Sequence, residues 1–250
     1  MLRIKLRKWL LVPVLVLTVG AVIGTGRHKV KADWRTASRE PVGIAPDPAT
    51  TPEAVAQVYI ARAFSWRGYF GVHSWIAVKP TNGRAFTVYQ IIGWRAYHGG
   101  QALAIHQTEP DRRWFGSAPQ VIADIRGEGV DEIIKRIDAA ARKYPHANDY
   151  TLWPGPNSNT FTAYIGRAVP ELNLDLPPTA IGKDYLPGGR IFAGAPSGTG
   201  YQFSLFGLLG VLAGAEEGVE VNILGLTFGV DPVDLAVKLP MAGRIGFQEP

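Results

Sequence analysis

Trp153-Pro154-Gly155-Pro156-Asn157-Ser158-Asn159-Thr160-Phe161 is the stretch from which the rest of the chain is ordered. Two prolines and a glycine make a stiff loop. Asn157 and Ser158 follow as candidate caps, and an apolar run (Phe161, Ala163, Tyr164, Ile165) then predicts a helix. The loop delivers a serine to a helix N-terminus, where unpaired N–H groups and the positive end of the dipole favour developing negative charge. Two roles are open to Ser158. It caps the helix by accepting from the N–H of Thr160 or Phe161, or it is an activated nucleophile beside an oxyanion hole.

Upstream, Val130 to Lys143 carries a helical stripe of Val130, Ile133, Ile134, Ile137 and Ala141, ended by Tyr144-Pro145. Val72 to Lys79 and Ala85 to Trp94 are β-rich, and Pro80-Thr81-Asn82-Gly83 between them predicts a hairpin turn. Ala54 to Phe64, Ala102 to His106 and Val121 to Arg126 read as further extended segments, with a loop from Pro110 to Pro119 carrying Trp114 and Phe115. Downstream, Val169 to Pro196 is proline-rich and irregular. Tyr201 to Gly214 and Val219 to Phe228 read as two strands, the first buried. These elements predict an α+β fold, one antiparallel sheet packed on two main helices, within a single domain over residues 53–250.

Residues 1–32 read as a membrane anchor or signal segment. Trp9 to Thr25 is an apolar run of about 17 residues behind a basic start, at the short end of a spanning helix. Four cations precede it and three follow, a slight bias towards a cytoplasmic N-terminus. The expectation is a single inner-membrane anchor with the globular domain in the periplasm and membrane lipid as a partner. Residues 33–52, with Pro41, Pro46 and Pro48, read as a linker.

The net charge of +5 suggests a nucleic-acid partner, but its distribution argues otherwise. Seven of the 26 basic residues precede Ala32, where there are no acids; the remaining 19 face 21 acidic residues, a net charge of −2. A phosphate-backbone partner is not expected. The absence of cysteine removes disulfides, thiolate metal sites and a Cys nucleophile. His98 and His106 lack metal-site spacing, so no metal and no cofactor are expected. Lys183-Asp184 predicts a buried ion pair holding the irregular segment, Ser197-Gly198-Thr199-Gly200 a tight turn, and Glu216, Glu217 and Glu220 a polar hairpin end. The seven tryptophans fit an aromatic core or a lipid- or glycan-facing groove.

The stretches Val72-His73-Ser74-Trp75-Ile76, Trp153 to Phe161, Pro177-Pro178-Thr179-Ala180-Ile181-Gly182-Lys183-Asp184 and Pro196-Ser197-Gly198-Thr199-Gly200 together resemble a bacterial membrane-associated family of unknown function (DUF3750-like). That resemblance spans roughly Val55 to Gly246 and implies no activity. A second resemblance concerns mechanism. Circularly permuted papain-like enzymes, the lecithin:retinol acyltransferase and permuted NlpC types, carry a His on an early strand and a later Asn-Cys-x-x-Phe at a helix start. Asn157-Ser158-Asn159-Thr160-Phe161 is similar to the latter, with Ser158 in the place of the Cys, and His73 matches the strand His. It implies a permuted papain-like core and a third polar group on the next strand, Tyr89 or Gln90. Serine needs a general base, because a helix dipole alone does not ionise it.

The leading reading is a periplasm-facing hydrolase or acyltransferase acting on an amide or ester of the cell envelope. Ser158 would be the nucleophile, His73 the base, and Gln90 or Tyr89 the orienting group. Trp153, Asn157, Asn159 and Trp75 are the candidate substrate contacts. The rival reading is a non-catalytic membrane-anchored binding or scaffolding protein on the same fold, with His73 a structural residue between Trp66 and Trp75.

Overall fold

The computed structural model describes residues 33–246, so the expected anchor over residues 1–32 lies outside the described residues. Two antiparallel sheets and few helices make an α+β protein. The first sheet has five strands in the order β4-β3-β2-β1-β5: β1 (Val55–Arg62), β2 (Val72–Lys79), β3 (Thr87–Ile91), β4 (Leu103–Gln107) and β5 (Gln120–Arg126). All five extended segments expected upstream are present. Between β3 and β4 lies a short helix that the residue pattern does not announce, α1 (Gly93–Tyr97).

Two longer helices cover one face of this sheet: α2 (Val130–Arg142) and α3 (Ser158–Ala168). α2 starts after Gly129, whose φ of +81° only glycine adopts without strain, and Asp131 and Glu132 complement the dipole in its first turn. Asp131 also accepts from Thr81 N and Oγ1 at 3.0 and 2.6 Å, which ties the β2–β3 turn to the helix. Ala56, Val58, Ile60, Ile76 and Val78 meet Ile137, Phe161 and Ile165 between the layers.

Strand alternation sends the other residues of β1 and β2 through to the opposite face. There Tyr59, Trp75, Ala77 and Val88 pack with Trp114 from the loop before β5. The stretch expected as a linker is docked on that loop. Gly116 N donates to Ser38 O at 2.8 Å, Val42 N to Asp111 O at 3.2 Å, and Ile44 N to Asp111 Oδ2 at 2.8 Å.

The second sheet departs most from expectation. It is a seven-stranded meander, β12 to β6 in order: β6 (Phe192–Gly194), β7 (Gly200–Leu205), β8 (Leu209–Gly214), β9 (Gly218–Ile223), β10 (Leu226–Asp231), β11 (Ala236–Leu239) and β12 (Gly243–Gly246). Each of the two long strands predicted over Tyr201 to Phe228 is a hairpin. Phe206 and Leu224 adopt positive φ (54° and 53°) beside glycines and turn the chain where only an apolar run is visible in sequence. Tyr201 is 83% exposed, so the buried strand expected from it is also corrected.

The inward face of this sheet is polar and packs on the irregular segment before it. Lys183 pairs with Glu220, and Lys238 with Asp175 (2.7 Å) and Glu220 (3.0 Å). The Lys183–Asp184 ion pair expected from sequence is corrected: Lys183 takes Glu220 as its partner. Asp184 instead accepts from Gln202, Asn222 and Thr227. Glu217 accepts from Ser197 N and Oγ at 3.0 and 2.7 Å. Of the three glutamates expected at a polar hairpin end, only Glu216 is exposed.

Candidate functional site

Asn157, not Ser158, is the N-cap of α3. Its side-chain oxygen accepts from Asn159 N and Thr160 N at 3.0 and 3.2 Å, and Thr160 Oγ1 accepts in return from Asn157 N at 3.1 Å, completing a capping box. Ser158 is the first helical residue. Its hydroxyl makes no hydrogen bond among the described residues. Two amides at the head of the helix, those of Asn159 and Thr160, are already taken by Asn157.

The same loop interlocks with the Pro177 to Asp184 motif. Asn157 Nδ2 donates to Leu152 O (3.1 Å) and Ile181 O (3.0 Å), Asn159 Nδ2 to Ile181 O (2.8 Å), and Thr160 Oγ1 to Gly182 O (2.7 Å). Gly182 sits at φ +98°, and a Cβ there would overlap the Asn157 amide. Trp153 reaches away from α3, donating its indole N–H to Leu224 O at 3.0 Å. The Trp153–Pro154 and Gly155–Pro156 bonds are both cis.

The sheet separates the expected catalytic group. Ser74 is the β2 residue that meets the head of α3: its Oγ lies 2.9 Å from Asn159 Oδ1 and 2.8 Å from Thr162 Oγ1. His73, one residue earlier, points to the other face, because successive strand side chains alternate. There its ring stacks on Trp114 with centroids 3.6 Å apart, and Nε2 donates to Gln90 Oε1 at 3.1 Å. Burial lowers the His73 pKa to about 4, with the Gln90 bond opposing the shift. Trp75 shares that face, donating Nε1–H to Pro110 O at 2.8 Å. Tyr89 lies back on the helix face and donates to Asp138 at 3.1 Å. His73, Gln90 and Trp75 are therefore together, as are Ser158, Asn157 and Asn159, with the sheet between the two sets. The expected Ser158–His73 pairing is corrected on this ground.

A different cluster lines a shallow, solvent-open hollow of about 450 Å³: Ala96, Tyr97, His146, Asp149, Tyr150 and Pro156, with Asn148 and Thr151. Gly93 opens α1, and a side chain there would strike the Tyr150 ring, so glycine lets that ring lie against the helix. Tyr97 meets Tyr150 edge-on at 5.7 Å. His146 Nδ1 lies 3.2 Å from Asp149 Oδ2, while its Nε2 is buried with no partner among the described residues. Sequence reasoning passed over these residues as the end of α2. Their only signal was a His and an Asp three apart in a loop shortly before the Trp153 motif.

A family model described as "Protein of unknown function (DUF3750)" matches residues 53–185. The chain belongs to this family. The match takes in the first sheet, both long helices and the Pro177 motif, and stops before the second sheet, short of the span to Gly246 expected from sequence. No curated protein and no solved structure matches the chain. Among the described residues no helix is long and apolar enough to cross a membrane, and no group of three or more His, Asp or Glu side chains could hold a metal ion.

Proposed function

We propose that this protein is a non-catalytic binding protein, tethered to the inner membrane by its first 32 residues and facing the periplasm. The observation that carries the non-catalytic reading is the phase of β2, which turns Ser74 towards α3, where it bonds Asn159 and Thr162, and sends the His73 imidazole to the opposite face. A serine without a base is not a nucleophile at neutral pH. We take the frame to be a permuted papain-like scaffold: an antiparallel sheet with a helix head presenting Asn159 to an early strand, used without its chemistry.

The ligand site is the cavity below α1. Two tyrosine rings give flat apolar walls, while Asn148, Asp149, His146 and Thr151 supply hydrogen-bonding groups of both kinds. Exposed Trp94 lies one turn from Tyr97 on the same side of α1 and extends the aromatic rim. Few charges, stacked rings and convergent amide and hydroxyl groups suit a neutral, hydroxyl-rich ligand, an envelope glycan.

Titration of the full chain in detergent with soluble N-acetylated disaccharide fragments of peptidoglycan, followed by tryptophan fluorescence and calorimetry, tests this reading. Saturable binding that weakens at least about tenfold in Tyr97→Ala is expected, equivalent to ~1.4 kcal/mol. Absence of binding at millimolar ligand removes the glycan assignment. Fluorophosphonate labelling of the wild type that disappears in Ser158→Ala would restore the enzyme.

A further inference from the structure

The second sheet is built inside out. Its inward positions carry the ion pairs and amides described above, whereas its outward positions are apolar strand after strand. One row across the sheet is Phe203, Val211, Val221 and Phe228, paired in register. A second is Ala213, Val219, Val230, Val237 and Ile245. No charged residue stands at an outward position of β7 to β11, and Val219, Val221, Val230, Val237 and Ile245 are each between 39% and 51% exposed. Six strands about 4.8 Å apart and up to six residues long make a flat apolar face of roughly 25 by 20 Å. That is about the size of the largest patches on soluble monomers, which mark interaction sites.

We propose that this face lies on the bilayer, in the plane of its interface. The inference rests on the anchor reading for proximity and goes beyond it in assigning a second lipid contact. The docked segment before β1 supplies the geometric argument. The apolar run ends near Thr25, and the chain is held on the body from Ser38, with Asp33 to Ala37 already folded into a turn. Seven residues, 26 to 32, are all that separates the run from the described body, and they reach at most about 25 Å. A body of this size is about 45 Å across, so a tether shorter than its width keeps it within about 25 Å of the membrane, in reach of an apolar face. Strands of four to six residues are too short to span, since a spanning strand needs about 9–11. The inner strands are hydrogen-bonded to neighbours on both sides over most of their length, so the face can enter the interface with few unpaired amides.

The cysteine-free chain makes the test direct. Single variants Val221→Cys on the face, Lys135→Cys on the exposed side of α2 and Val16→Cys in the apolar run are labelled with an environment-sensitive fluorophore. The full chain is reconstituted in phosphatidylcholine–phosphatidylglycerol vesicles with and without nitroxide-bearing lipid. The expected result at Val221→Cys is blue-shifted emission that loses most of its intensity to the nitroxide lipid, with neither effect at Lys135→Cys. Quenching at Val16→Cys but not at Val221→Cys overturns the inference and leaves the anchor standing. Quenching at Val221→Cys alone upholds the inference and removes the anchor. Blue-shifted emission without quenching means that protein covers the face. It is a second copy if Val221→Cys oxidises to a disulfide-linked dimer, and the chain's own apolar run if it does not; either result overturns the inference.

Discussion

Replacing Asn157 by Ala separates the cap from its neighbour and tests the local structure of the Trp153 loop. The substitution removes an N-cap acceptor shared by two amides, a loss of about 1–2 kcal/mol. It also strands Leu152 O, which has Asn157 Nδ2 as its donor at 3.1 Å, for a further ~1 kcal/mol at a partly buried acceptor. Ile181 O is spared, because Asn159 Nδ2 still reaches it at 2.8 Å. The expected loss is about 2–3 kcal/mol, or ~4–12 °C in Tm for a body of this size. Ser158→Ala removes a hydroxyl with no partner and should stay within about 0.5 kcal/mol of the wild type. Urea unfolding of the full chain in detergent, read by tryptophan fluorescence and by circular dichroism, measures both. Equal losses in the two variants, or a larger one in Ser158→Ala, would refute the assignment of the cap and return the serine to a structural role.

Three further outcomes follow from the same geometry. Gly182→Ala forces a side chain onto the Asn157 amide at a φ of +98°, so it should destabilise strongly, and the Gly182→Ala/Asn157→Ala double variant should lose clearly less than the sum of the two single losses. His73 has a folded pKa of about 4 against about 6.5 when unfolded, so between these values the unfolded chain binds a proton that the folded one refuses. Its share of stability is complete above pH 6.5 and falls by about 3 kcal/mol as the pH drops to 4; His73→Phe should flatten that part of the stability–pH curve, and an unchanged slope would count against the burial argument. Glu220→Gln leaves Lys183 without its carboxylate partner in a buried setting, and a loss of ~3–5 kcal/mol is expected in denaturant unfolding, whereas one below about 1 kcal/mol would show the network to be dispensable.

The first sheet and its helices were legible because their signals are local. Runs rich in β-branched and aromatic residues at Val55–Arg62 and Val72–Lys79, a turn tetrad at Pro80 and a 3.6-period stripe from Val130 each carry their meaning within a dozen residues. The motifs around Trp153 and Pro177 also stood out, but not that they are one interlocked structure, since Ile181 and Gly182 meet Asn157, Asn159 and Thr160 only after the chain folds back. The His146–Asp149 cavity was missed for the same reason: its wall is completed by α1, some fifty residues earlier in the chain.

Sequence alone located the strands of the first sheet; how the second sheet is cut into strands, and which side of each strand faces inward, was decided by tertiary contacts. In β2 the choice between His73 and Ser74 was settled by α3, whose Asn159 and Thr162 bond the serine and leave the imidazole to Trp114 and Gln90 on the far side of the sheet. In β7 to β11 it ran opposite to the usual expectation, polar side in. The irregular segment supplies Asp175, Lys183 and Asp184 as partners for Gln202, Glu220, Asn222 and Lys238, and buried charge is tolerated where such partners exist. A strand repeats every two residues and is the same read from either face, so the neighbour that packs against it decides which set of side chains becomes core.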